Sequence, residues 1–158
     1  MPASRQHSDK PLIGVGAVVF DAALERVLLI RRGGWPARGL WSVPGGLVER
    51  GERLVDACAR ELVEETGVRC ELAGEVCVVE RIVDQPQPYH YVIVDFWGVA
   101  AQGDEPRADS DAQEARWVTV GELAELETTA GLAGVVRRAH ALARGEAHGR
   151  WLTDGSEP

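Results

Sequence analysis

Residues 46–68 read GLVERGERLVDACARELVEETGV, and this stretch decides the architecture. Arg53 to Thr66 carries apolar residues at Leu54, Ala57, Cys58 and Leu62. That i, i+3, i+4, i+8 spacing predicts an amphipathic helix with one buried stripe. Gly67 supplies the C-terminal stop. At 100° per residue, Glu61, Glu64 and Glu65 fall within about a 100° arc of one face. Like charges packed so closely destabilise a helix, and Arg60 offsets part of this by pairing with Glu64 at i+4. The remaining negative density suits a hard divalent cation with oxygen ligands. A charged helix face is ordinarily just a solvated one, so the helix alone does not decide between the two.

The residues before the helix supply the other half of the unit. Pro44-Gly45-Gly46 is expected to stop a short strand, Trp41 to Val43, in a bend where backbone can come close to a ligand. Glu52 sits at the helix start, where its charge complements the helix dipole. Upstream, Leu12 to Phe20 reads as a buried strand and Arg26 to Arg32 as its hairpin partner. Gly33 to Leu40 is a glycine-rich loop. Downstream, Glu71 to Val83 and Tyr89 to Ala101 read as two long strands split by Gln85-Pro86-Gln87-Pro88. Gln102 to Gln113 is an acidic loop, and Ala115 to Val118 a short strand. Thr119 and Glu122 have capping-box spacing, and Thr128 to Arg144 reads as the last helix.

The whole chain fits one domain. Residues 1–10 read as a flexible leader, 11–145 as the folded unit and 146–158 as a polar tail in which Trp151 is the one residue suited to docking. A net charge of −8 argues against general affinity for a nucleic-acid backbone. It leaves room for a small anionic substrate, because local cations override net charge. Three cysteines without CxxC spacing predict a reduced, cytoplasmic setting and no disulfide framework. No apolar run reaches the roughly 20 residues of a membrane helix.

The quoted stretch matches every specified position of the Nudix box, G-x₅-E-x₇-R-E-U-x-E-E-x-G-U with U aliphatic. The flanks LLIRRG, GLWSVPGG and EARWVTVGEL also resemble the Nudix hydrolase family, over roughly residues 12 to 140. The resemblance implies an α/β fold, an α/β/α sandwich around a mixed sheet. It also implies hydrolysis of a nucleoside diphosphate linked to another moiety, with Mg²⁺ as cofactor and Mn²⁺ able to substitute. It assigns Glu61, Glu64 and Glu65 as metal ligands, with the Gly46 carbonyl as a further ligand. Arg60 and Glu52 become the residues that brace them. The general base is left between Glu61 and an acid of the Gly103 to Glu114 loop. Many relatives form homodimers, so that state is carried as an expectation.

For substrate contacts, the choices stay open. Arg31, Arg32 and Arg38 either hold phosphates or lie on the surface. Trp35, Tyr89 and Tyr91 either stack on a base or pack. Asp111 and Glu114 either swing to the metal or remain surface acids. The segment YHYVIVDFWGVA with the acidic loop resembles small bacterial ADP-ribose pyrophosphatases, which split ADP-ribose into AMP and ribose 5-phosphate. The chain has no Asn, the residue with which bacterial enzymes that sanitise oxidised dGTP typically read the base. A nucleoside triphosphate pyrophosphatase is therefore the alternative. A third expectation, of another class, is a non-catalytic nucleotide-sugar sensor, although such domains commonly lose box acids and this chain keeps them all.

Overall fold

The computed structural model describes residues 8–149 and 151–154. Most of the predicted leader (1–7), and residues 150 and 155–158 of the predicted tail, lie outside them. The described elements are β1 (Leu12–Phe20), β2 (Arg26–Arg32), β3 (Trp41–Ser42), β4 (Gly45–Leu47) and α1 (Leu54–Thr66). They continue with β5 (Leu72–Val83), β6 (Tyr89–Val99), β7 (Ala112–Thr119), α2 (Val120–Leu123), α3 (Leu132–Ala143) and β8 (Leu152–Thr153).

One mixed sheet runs β3-β2-β1-β6-β5-β8, with β4 paired to β1 and β7 paired to β2. β1 lies parallel to β6 and antiparallel to β4. Because alternate side chains of a strand point to opposite faces, β1 feeds two cores. Val15, Ala17 and Val19 meet Ala57, Cys58 and Leu62 of α1. Val18 and Phe20 join the core completed by Leu132, Val135, Val136 and Ala139 of α3. Each fully buried Val, Leu or Phe among them contributes about 1.5–3 kcal/mol. The result is the expected α/β sandwich. Among the described residues, no helix is long and apolar enough to cross a membrane.

Three local departures matter. Gly45-Gly46 does not simply end a strand: it forms β4, in register with Val15 and Gly16. A Cβ at Gly45 would run into the Val15 carbonyl, so this pairing needs glycine. Helix α3 starts at Leu132 rather than Thr128, after Gly131 in the left-handed region (φ 77°). The preceding residues are held instead along β3, by Trp41 N–H to Glu127 O and Thr129 N–H to Trp41 O, both 2.9 Å. Strand β7 begins at Ala112 rather than Ala115, with a bulge between Ala112, opposite Arg32, and Glu114, opposite Arg31. In the segment read as a tail, Arg138 lies over the Trp151 ring, and β8 pairs with Val78 and Val79.

Candidate active site

Arg60, on α1, is the hub of the acidic face. Its Nε and Nη2 donate to both oxygens of Glu52, at 2.7 and 3.0 Å. Its Nη1 donates to Glu61 at 2.9 Å and Glu64 at 3.3 Å, and Nη2 reaches the Leu47 carbonyl at 3.2 Å. A planar fork suits this multiple role, where a lysine would offer a single point charge. The guanidinium holds the Glu52 carboxyl down to about 2, helped by the Glu49 N–H. Glu52 thus braces the helix through Arg60 and does not cap it; Arg53 is the N-cap residue and makes no side-chain cap.

Glu65 and Glu61 face the glycines of β4. Gly45 N–H donates to Glu65 Oε2 at 2.8 Å. Burial pushes the Glu65 carboxyl up to about 7, against that hydrogen bond and with the Glu61 charge adding to the rise. The Glu61 carboxylate occupies the space that a Cβ at position 46 would fill. Glu64 is half exposed and touches Arg60 from outside. Among the described residues no three His, Cys, Asp or Glu side chains converge into a ready metal cage. The donor chemistry nevertheless fits a hard cation: every group here is an oxygen, and the glycine cradle keeps Glu61 against backbone where a side chain would displace it.

Beside these carboxylates opens a cleft of about 410 Å³. Gly45, Gly46 and Glu65 line one end, with Arg32 and Asp111 close enough for their charges to act on Glu65. The loop carrying Asp111 is tied to the end of α1, by Arg107 N–H to Thr66 O (2.8 Å) and Asp109 N–H to Glu65 O (3.1 Å). Tyr91 lines the cleft and packs on Tyr89, whose ring meets Trp35 edge-on. Arg31, Arg38 and Glu114 stand outside it. Arg31 points to the opposite face of β2 from Arg32 and pairs with Glu114 at 3.2 Å in an exposed cross-strand bridge. Arg38 is exposed in the 33–40 loop and lines no part of the cleft.

Among the lining residues not anticipated from the sequence, one is acidic. Asp95 lies mid-strand in β6, 5% exposed, within the apolar run YHYVIVDFWGVA. An ionisable side chain at an inward position of such a run is the signal that would have found it.

Comparison with known proteins agrees with this picture. The family model described as NUDIX domain matches residues 10–139. An ADP-ribose pyrophosphatase of Methanocaldococcus jannaschii is 34% identical over 113 residues, 70% of this chain and 66% of that protein. A putative 8-oxo-dGTP diphosphatase of Bacillus subtilis is 30% identical over 110 residues, 70% of this chain and 68% of that one. The chain thus spans about two thirds of these relatives, and only 22% of a third, from mouse. Among solved structures, the Nudix domain of Shewanella oneidensis NrtR complexed with ADP ribose superposes with a TM-score of 0.69. It is 20% identical and the match covers 90% of this chain and 94% of that one, a likeness of fold.

Proposed function

The chain belongs to the Nudix hydrolase family, and from that premise we propose that it hydrolyses the diphosphate bond of ADP-ribose, giving AMP and ribose 5-phosphate. The observation that carries the chemistry is the pair Glu61 and Glu65, seated on Gly46 and Gly45, two glycines that line the cleft. The M. jannaschii relative supports the choice of substrate.

Glu61, Glu64, Glu65 and the Gly46 carbonyl would hold the divalent cation that Nudix hydrolases generally use, here Mg²⁺ or Mn²⁺. When bound, it neutralises diphosphate charge and lowers the pKa of the attacking water. Arg60 and Glu52 keep Glu61 and Glu64 aimed at that position, so little reorganisation is needed on binding. Arg32 stands where it can take a phosphate oxygen. Glu61 or Asp111 accepts the proton of the attacking water; Asp111 is the acid of the 103–114 loop that lines the cleft.

The B. subtilis relative keeps a triphosphate pyrophosphatase as the second reading. A panel of ADP-ribose, nucleotide sugars, dNTPs and oxidised dNTPs separates the two, with products resolved by chromatography. AMP with ribose 5-phosphate, at a kcat/KM well above every other compound, is the expected result. Pyrophosphate released faster from a triphosphate would move the protein to the second reading. Tight ADP-ribose binding without any turnover would make it a sensor.

A further inference from the structure

We propose that Asp95 is a specificity-determining residue, whose carboxyl at the floor of the cleft accepts a hydrogen bond from a donor on the organic part of the substrate. The donor is either the exocyclic amine of a base or a sugar hydroxyl. The inference rests on the reading of this cleft as a nucleotide site.

The placement comes from register. Asp95 is the β6 partner of Gly16, and Gly16 is the β1 partner of Gly45, whose N–H holds Glu65. Two strand spacings, about 10 Å, therefore separate the Asp95 backbone from the carboxylate end. That is the scale on which a nucleotide carries its base edge or ribose from its phosphates. The Asp95 Oδ1 sits over Gly16, in the space a Cβ there would need. Glycine at 16 thus leaves the carboxyl room to lean toward β4.

The surroundings make a merely structural role a poor account. Val43 stands with Asp95 beside Gly16, and Ile93, Leu132 and Val135 are further apolar residues of the same cleft. The Cys77 thiol donates to Asp95 Oδ2 at 3.7 Å, and a thiol is a weak donor. A buried carboxyl so weakly satisfied costs stability that a Leu of similar size would not. Burial also pushes the group up to about 6, a sign of the same cost. Residues that break the local rule at a cleft floor are expected where a ligand completes the hydrogen bonding.

The test pairs ligand deletions with side-chain deletions. Affinity is measured by calorimetry in excess chelator, where no turnover is expected, for ADP-ribose, for its purine analogue lacking the 6-amino group, and for analogues lacking single ribose hydroxyls. Wild type, Asp95→Leu and Asp95→Asn are compared. A site that hydrogen-bonds a donor rejects the analogue without it. Wild type should lose about tenfold or more on one class of analogue, and that class identifies the donor. Asp95→Leu should melt no lower than wild type and bind parent and analogue within about twofold of each other. Asp95→Asn keeps an acceptor oxygen and should keep the discrimination. Equal losses on parent and analogue in Asp95→Leu would overturn the proposal. So would a wild type indifferent to every deletion, whether or not the variants fold. Hydrolysis of ADP-ribose by wild type tests the substrate reading separately. Discrimination without turnover would leave Asp95 in its role and remove only that reading.

Discussion

Two parts of the cleft are built in different ways. The carboxylate end comes almost entirely from residues 45–65: one turn, one strand and one helix, locked by Arg60 to Glu52, Glu61 and Glu64. The rest of the lining is assembled from distant segments: β1 and β6, brought together by sheet register, the 33–40 loop and the start of α3. Chemistry that every substrate shares can be encoded in a short, self-bracing unit. Recognition of a particular substrate is spread over distant segments that can change one at a time.

The largest effect should come from the local unit. Glu65→Gln removes one charge from the glycine-seated pair and should lower kcat about a thousandfold. Its melting temperature in metal-free buffer above pH 7 should be unchanged or higher. Burial already disfavours the charged form there, with the carboxyl pushed up to about 7. A variant that unfolds instead would make Glu65 a structural residue.

Gly46→Ala comes next. Its Cβ takes the space of the Glu61 carboxylate, and a displacement of that order costs about 10- to 100-fold in rate. The loss should fall on kcat, with KM for ADP-ribose within about threefold of wild type. A loss carried by KM alone would place Glu61 among the binding groups and away from the reacting atoms.

The smallest effect belongs to the rest of the lining and reads stability. Burial raises the Asp95 carboxyl from 3.8 to about 6. The folded state therefore keeps its proton where the unfolded state has lost it. The associated stability is present in full below about pH 4 and is lost as pH rises through about 6. Denaturant titrations of wild type and Asp95→Asn should diverge across that window, with the variant the flatter of the two. Parallel curves would mean that Asp95 ionises freely in the fold.

The same contrast explains what the sequence made legible. The α1 stripe, the Gly67 stop and the acidic face all lie within one periodic segment; the stop and the stripe residues Ala57, Cys58 and Leu62 are found as expected, while Leu54, at the first turn of the helix, is 37% exposed and lies outside the buried stripe. Fold class came from the family resemblance that this segment and its flanks carry. Strand β4 was not legible, because Gly-Gly carries no strand propensity and its pairing depends on backbone approach to β1. The choice among Arg31, Arg32 and Arg38 turns on which face of β2 each one meets, and residue type says nothing of that. Tyr91 and Asp111 could be named as candidates but placed only by the fold. Asp95 was visible in the sequence as an acid inside an apolar run, but its place in the cleft follows only from its pairing opposite Gly16.

The central claim is that the box carboxylates hydrolyse ADP-ribose through a bound divalent cation. Its most direct test is ADP-ribose turnover before and after chelation, with products resolved by chromatography. The account predicts AMP and ribose 5-phosphate, loss of turnover in excess chelator, and recovery on adding Mg²⁺ or Mn²⁺. Turnover that persists undiminished in excess chelator would contradict it.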